Sequence, residues 1–200
     1  MAETLILTRL ALKRDRWALQ FAGNRYGVHA QLAAVWEGEP RLLWRLEHPD
    51  AWTTQILVQA AAPASAAALE QIWSIQKTDE LCFPVALVAG GLYRFRLQAN
   101  VVTCSARSHK RLAVTKQLDQ QQWLERQLAT HGAALKGLEV QQASWHASYN
   151  KDVAPLVHFR VLFQGVLMAM QADRLERAVR CGIGPAKGLG FGLLSLRRVG

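Results

Sequence analysis

Gly90-Gly91-Leu92-Tyr93-Arg94-Phe95-Arg96-Leu97-Gln98-Ala99-Asn100-Val101-Val102 (GGLYRFRLQANVV, residues 90–102) is where this chain starts over. Two adjacent glycines punctuate the chain, and the run behind them alternates Tyr93 and Phe95 with Arg94 and Arg96, the two-residue period of a strand. Upstream, TLILTRLAL (4–12) reads as a strand and NRYGVHAQLAAVW (24–36) as a helix with Asn24 as its N-cap. RLLWRLEH (41–48) and TQILVQAAA (54–62) are strands, ASAAALEQIWSI (64–75) is helical, and ELCFPVALVA (80–89) holds one more strand. Downstream the same order returns: strand 92–102, helix DQQQWLERQLATHG (119–132), strands 138–149 and 156–170, helix DRLERAVRCG (173–182), strand FGLLSLRRV (191–199). Strand-helix-strand-strand-helix-strand is the ferredoxin-like order. The expected fold is therefore α+β, two tandem ferredoxin-like (βαββαβ) domains, residues 1–91 and 92–200. In the last helix, Asp173 and Glu176 have capping-box spacing and Gly182 suits the C-terminal stop.

At 200 residues, half of them hydrophobic, the chain has enough apolar surface for such cores. No window approaches the roughly 20 apolar residues of a membrane span, and acid precedes the first apolar run, unlike a secretory signal. A cytoplasmic protein with no membrane partner is expected. Cys82, Cys104 and Cys181 are widely spaced, which fits buried thiols rather than a disulfide framework or a zinc site. The carboxylates are scattered too, so neither metal nor other cofactor is expected. Charge is lopsided: residues 1–91 carry eight Lys/Arg against nine Asp/Glu, a net of −1, and residues 92–200 carry sixteen against six, a net of +10. A one-sided excess of base is the footprint of a polyanionic partner, above all nucleic acid.

Five glycines fall within Gly182–Gly192 (GIGPAKGLGFG), around Lys187. A dinucleotide fingerprint needs a strand before its glycines and a helix after them; here the order is reversed. A nucleotide-triphosphate loop needs Gly-Lys-Ser/Thr opening a helix, and GPAKGLGFG offers neither hydroxyl nor helix. What remains is backbone that comes close to another surface, either the neighbouring domain or a phosphodiester chain.

GIGPAKGLGFGLLSL (182–196) resembles the C-terminal glycine-rich loop of the CasE family, the repeat-processing endoribonucleases of type I-E CRISPR systems. LYRFRLQANVV, the WLERQL helix, the VLFQGVL strand and the Tyr-x-x-His helix extend the likeness over nearly the whole chain. The resemblance implies metal-independent cleavage of precursor CRISPR RNA at the base of each repeat hairpin. It also implies that the mature guide RNA is retained alongside other protein subunits of the Cascade complex. A non-catalytic RNA-hairpin-binding subunit of the same fold is the alternative.

Tyr26 and His29 lie three apart on one side of the first helix, whose apolar stripe is Val28, Leu32, Val35 and Trp36. His29 falls on the border of that stripe, and the residues alone favour a half-buried structural histidine. The resemblance reverses that balance by placing the family's active-site pair on these two: His29 as general base or acid, Tyr26 as its positioning or proton-sharing partner. RNA grip is expected from CSARSHKRLAVTK (104–116), with Arg107, Lys110, Arg111 and Lys116, and from Gly182, Gly184, Lys187, Gly188 and Gly190. Relatives often carry a lysine just before the strand at 156–165. Lys151 stands a few residues earlier here, and His158 is the other basic group offered for phosphate contact.

Overall fold

Each half of the sequence builds its own antiparallel sheet. The computed structural model describes residues 4–12, 22–39, 42–48, 54–71, 75–84, 86–105, 110–150 and 153–199. The chain divides into one compact unit of Met1–Val85, Ser148–Leu156 and Lys187–Gly190, and a second of Ala86–Ala147, Val157–Ala186 and Phe191–Gly200.

In the first unit the order is β1 (Thr4–Leu12), α1 (Arg25–Val35), β2 (Leu43–Glu47), β3 (Gln55–Ala60), α2 (Ala66–Glu70) and β4 (Ile75–Pro84). The strands lie in the spatial order β2-β3-β1-β4, all neighbours antiparallel, which is the ferredoxin-like arrangement. Leu10, Ile56, Val58 and Trp44 from the sheet meet Val28, Leu32 and Val35 of α1 in one buried cluster. Asn24 does cap α1: its side-chain oxygen accepts the Gly27 N–H at 3.1 Å, supplying a partner the first turn lacks. Two boundaries depart from the sequence reading. The second helix is only five residues long, and β4 begins at Ile75 rather than near residue 80. The nine-residue β1 needs a partner of matching length, and pairing from Thr4↔Pro84 to Leu12↔Ile75 recruits the polar run Lys77–Glu80 into an edge strand.

The second unit runs β5 (Leu92–Asn100), β6 (Val102–Cys104), β7 (Arg111–Ala113), α3 (Gln117–Thr130), most of β8 (Ala133–Asn150) and of β9 (Val153–Ala169), α4 (Ala172–Cys181) and β10 (Leu194–Arg198); the last residues of β8, the first of β9 and a 3-10 turn at Lys187–Leu189 belong to the first unit. Its sheet order, β10-β5-β9-β8, repeats the first. Tyr93, Phe95, Leu97 and Ala99 of β5 are buried while Arg94 is exposed, as the alternation requires. Trp123 and Leu128 of α3 and Leu175 and Val179 of α4 complete that core, with Trp123 stacked 6.4 Å from Phe163. Around the basic stretch, β6 pairs with β7 as a two-stranded ribbon, in register Thr103↔Leu112.

Two local expectations are corrected. The Asp173–Glu176 capping box does not form: Gln171 is the N-cap without a side-chain bond, and Asp173 sits inside the first turn. The Gly132 carbonyl accepts the Met170 and Gln171 N–H groups and so sets the helix entry, while Glu176 pairs with Arg180 at 3.1 Å. Cys104 is exposed on the ribbon and Cys181 is half-buried, so these two thiols are not core groups. No described helix is long and apolar enough to cross a membrane.

Candidate active site on the first helix

The site grows out of the phase of α1. Positions 25, 28, 32 and 35 face the core, and Tyr26 and His29 lie at its edge, both half-buried, with His29 Nδ1 buried. Such a position anchors a side chain in the core and leaves its tip open. His29 Nδ1 is buried and has no hydrogen-bond partner among the described residues. Its Nε2 faces Gly188, where a built Cβ would lie 3.4 Å away.

Gly188 is held there by two side chains of the same unit. Arg25, fully buried at the start of α1, donates from Nη1 to the Leu189 carbonyl at 2.6 Å. Trp44 Nε1 donates to the Gly188 carbonyl at 3.3 Å, and the Arg25 guanidinium lies 5.7 Å from the centre of the Trp44 ring. Gly190, at φ +77°, closes the turn: a Cβ there would stand 2.7 Å from Trp44 and 2.8 Å from Arg25 Nη1. Left-handed backbone and lack of space both demand glycine at this point. Ala186, just before the turn, has φ +64°, a region non-glycine residues seldom occupy.

The structure thus brings His29, Gly188, Gly190 and Lys187 into one unit, with Tyr26 a turn from His29 on the same helix. The remaining glycines of the cluster lie in the second unit. Gly182 ends α4 at φ +71°, and at Gly184, φ +81°, a Cβ would stand 3.3 Å from Trp123. Lys110 and Arg111 are exposed on or beside the ribbon and Lys116 is exposed at the N-cap of α3. Arg107 and Lys151 lie outside the described residues. His158, on β9, packs 5.7 Å from the Phe191 ring with Nδ1 3.5 Å from Asn100 Nδ2. Arg94 is held by Glu139, both carboxylate oxygens accepting from Nη1 at 2.8 and 2.9 Å. On β9, burial lowers the Arg160 pKa from its ordinary value, and its Nε donates to Ser144 Oγ at 3.0 Å. Among the described residues no group of three or more His, Cys, Asp or Glu side chains is arranged to hold a metal ion.

Sequence reasoning missed Arg25. The signal was present, since an arginine in the core phase of an amphipathic helix must find an acceptor inside the protein.

The chain is similar to known proteins over nearly its whole length. A family model described as CRISPR associated protein matches residues 5–198. The CRISPR-associated endoribonuclease Cse3 of Thermus thermophilus is 32% identical over 210 residues, covering 95% of this chain and 98% of that protein. The CRISPR system Cascade subunit CasE of Escherichia coli is 33% identical over 153 residues, 70% of this chain and 72% of that protein. The structure of Thermus thermophilus Cse3 bound to an RNA representing a pre-cleavage complex is similar at TM-score 0.86 and 31% identity, with 97% of this chain and 99% of that one covered. A structure of Cse3 bound to a 19-nucleotide RNA gives TM-score 0.85 at 32% identity, covering 98% and 100%. With the match running almost end to end in both sequence and fold, the chain belongs to the CasE/Cse3 family of CRISPR-associated proteins.

Proposed function

We propose that this protein is an endoribonuclease that recognises the hairpin of a CRISPR repeat, cuts precursor RNA at the 3′ base of the stem, and stays bound to the guide RNA as a Cascade subunit. The observation that carries the reading is His29 at the open edge of α1 with Nε2 facing the glycine-rich turn. The relatives named as an endoribonuclease and as a Cascade subunit supply the substrate class.

The chemistry is a transesterification. The ribose 2′-oxygen forms a bond to the adjacent phosphorus, and the bond from phosphorus to the 5′-oxygen breaks. The 2′-hydroxyl proton passes to a base, and a proton is delivered to the departing 5′-oxygen. A 2′,3′-cyclic phosphate and a 5′-hydroxyl result, with no metal-bound water required. His29 serves as the base or the acid, since a neutral imidazole can accept a proton and a protonated one can give it. Tyr26 positions or shares a proton. Holding the 2′-hydroxyl in line with the leaving oxygen supplies much of the acceleration.

Lys187 adds positive charge at the phosphates, with Lys151 and His158 as further phosphate contacts. Gly182, Gly184, Gly188 and Gly190 let backbone approach the RNA. Arg107, Lys110, Arg111 and Lys116 grip the stem along its backbone, where A-form RNA is read mostly by shape. The domains read as 1–91, carrying the Tyr-x-x-His helix, and 92–200, carrying the RNA-binding ribbon. A cytoplasmic location goes with this role.

Incubating a cognate repeat hairpin with the protein in excess EDTA and analysing the product ends tests the reading. Cleavage that leaves a cyclic phosphate is expected. Tight binding without cleavage would favour the non-catalytic subunit, and cleavage only with added divalent metal would overturn the mechanism.

A further inference from the structure

Arg25 is a fully buried cation spent on the backbone of a turn far along the chain, Nη1 to the Leu189 carbonyl at 2.6 Å. Trp44, also fully buried, takes the carbonyl just before it, that of Gly188. Two consecutive carbonyls are thus gripped by two side chains that pack on each other, and Gly190 leaves the space both occupy. The grip fixes the plane of the Gly188–Leu189 peptide and, with it, where the Gly188 Cα stands. That Cα faces His29 Nε2, while Nδ1 on the far side of the ring is buried with no hydrogen-bond partner among the described residues. An imidazole is usually oriented by a hydrogen bond on its non-reacting nitrogen. Here the described residues offer packing instead, and Gly188 is one wall of it.

We infer that Arg25 and Trp44 are positioning residues: by latching the Lys187–Gly190 turn onto α1 and β2 they set the wall that orients the His29 imidazole. The inference rests on the reading of His29 as the proton-transfer group. Arg25 suits the task because its planar fork holds one direction where a lysine ammonium would swivel. Trp44 combines a ring large enough to seat the guanidinium with an N–H at its rim.

The test uses full-length Trp44→Phe, Arg25→Lys and Arg25→Met proteins, with His29→Ala as control. Four quantities are measured: single-turnover cleavage of the repeat hairpin, affinity for the same hairpin with a 2′-deoxy cut site, the thermal midpoint, and the ring nitrogen chemical shifts of His29. Trp44→Phe keeps an aromatic ring and loses the N–H, so it reports even if an Arg25 variant fails to fold. The expected result for Trp44→Phe is a cleavage rate lowered by about ten- to a hundredfold, affinity nearly unchanged, and moved or broadened His29 signals. Arg25→Lys should fall between Arg25→Met and the unaltered protein. A folded Trp44→Phe protein with unaltered rate and unmoved His29 signals would overturn the latch. So would a rate loss that only follows affinity or stability while the signals stay put. His29→Ala that cleaves at the full rate would defeat the underlying assignment instead, and the His29 shifts would still judge the latch.

Discussion

Gly188 and Gly190 sit two residues apart and answer to different constraints. At Gly190 a side chain is excluded twice, by φ +77° and by Trp44 at 2.7 Å. Gly190→Ala should therefore cost at least about 2 kcal/mol in thermal or denaturant unfolding, from left-handed strain and overpacking together, and should lower cleavage as well. A methyl at Gly188 would only touch the His29 ring at 3.4 Å. Gly188→Ala should keep its stability, whereas a branched or larger residue there should displace the imidazole and slow cleavage. Lys187→Ala should be the mildest of the three on stability, its loss falling on RNA affinity. Equal effects of Gly190→Ala and Lys187→Ala on both readouts would contradict this account of the turn. The glycines announced a close approach of backbone, but the surface they approach could not be read locally. Trp44 lies 144 residues from Gly188, and nothing in either stretch advertises the other.

At the scale of elements, α1 was legible because one short stretch carries its cap, its apolar stripe and the pair Tyr26 and His29. Asn24→Ala should cost about 1 kcal/mol through loss of the cap, and the helix carrying His29 should fray with it. Circular dichroism and cleavage measured together would check this, and unchanged melting would refute the cap. The second helix and β4 were less legible because the strand is rich in polar and charged residues at a sheet edge and is defined by its pairing with β1. Likewise the capping-box spacing at Asp173 was real, but a tertiary hydrogen bond to Gly132 decided where the helix begins. In β2, Arg45 is 2% exposed and bonds Glu47 at 2.6 Å. Glu47→Ala should cost roughly 2 kcal/mol of stability by withdrawing an acceptor from a buried guanidinium.

Over the whole molecule, the strand-helix order and the charge asymmetry were the most readable features, since each half repeats one pattern and only the second is basic. The docking of distant segments was not readable: the acceptor that Arg25 finds, the Leu189 carbonyl, lies 164 residues further along the chain. The excess base predicts RNA affinity that falls steeply with salt. Replacing Lys110 and Arg111 by Ala should weaken binding across sequences and flatten the salt slope by about one for each phosphate that is no longer neutralised. An unchanged slope would remove the ribbon from the interface. Everything proposed for the site turns on whether His29 moves a proton for 2′-hydroxyl attack. Single-turnover cleavage of the cognate repeat hairpin in EDTA is compared for the unaltered protein, for His29→Ala, and for a hairpin with a single 2′-deoxy nucleotide at the cut site. If His29 moves that proton, only the unaltered protein on all-ribose RNA cleaves, with tight binding in every case. Cleavage of the deoxy hairpin, or by the His29→Ala protein at the full rate, would contradict it.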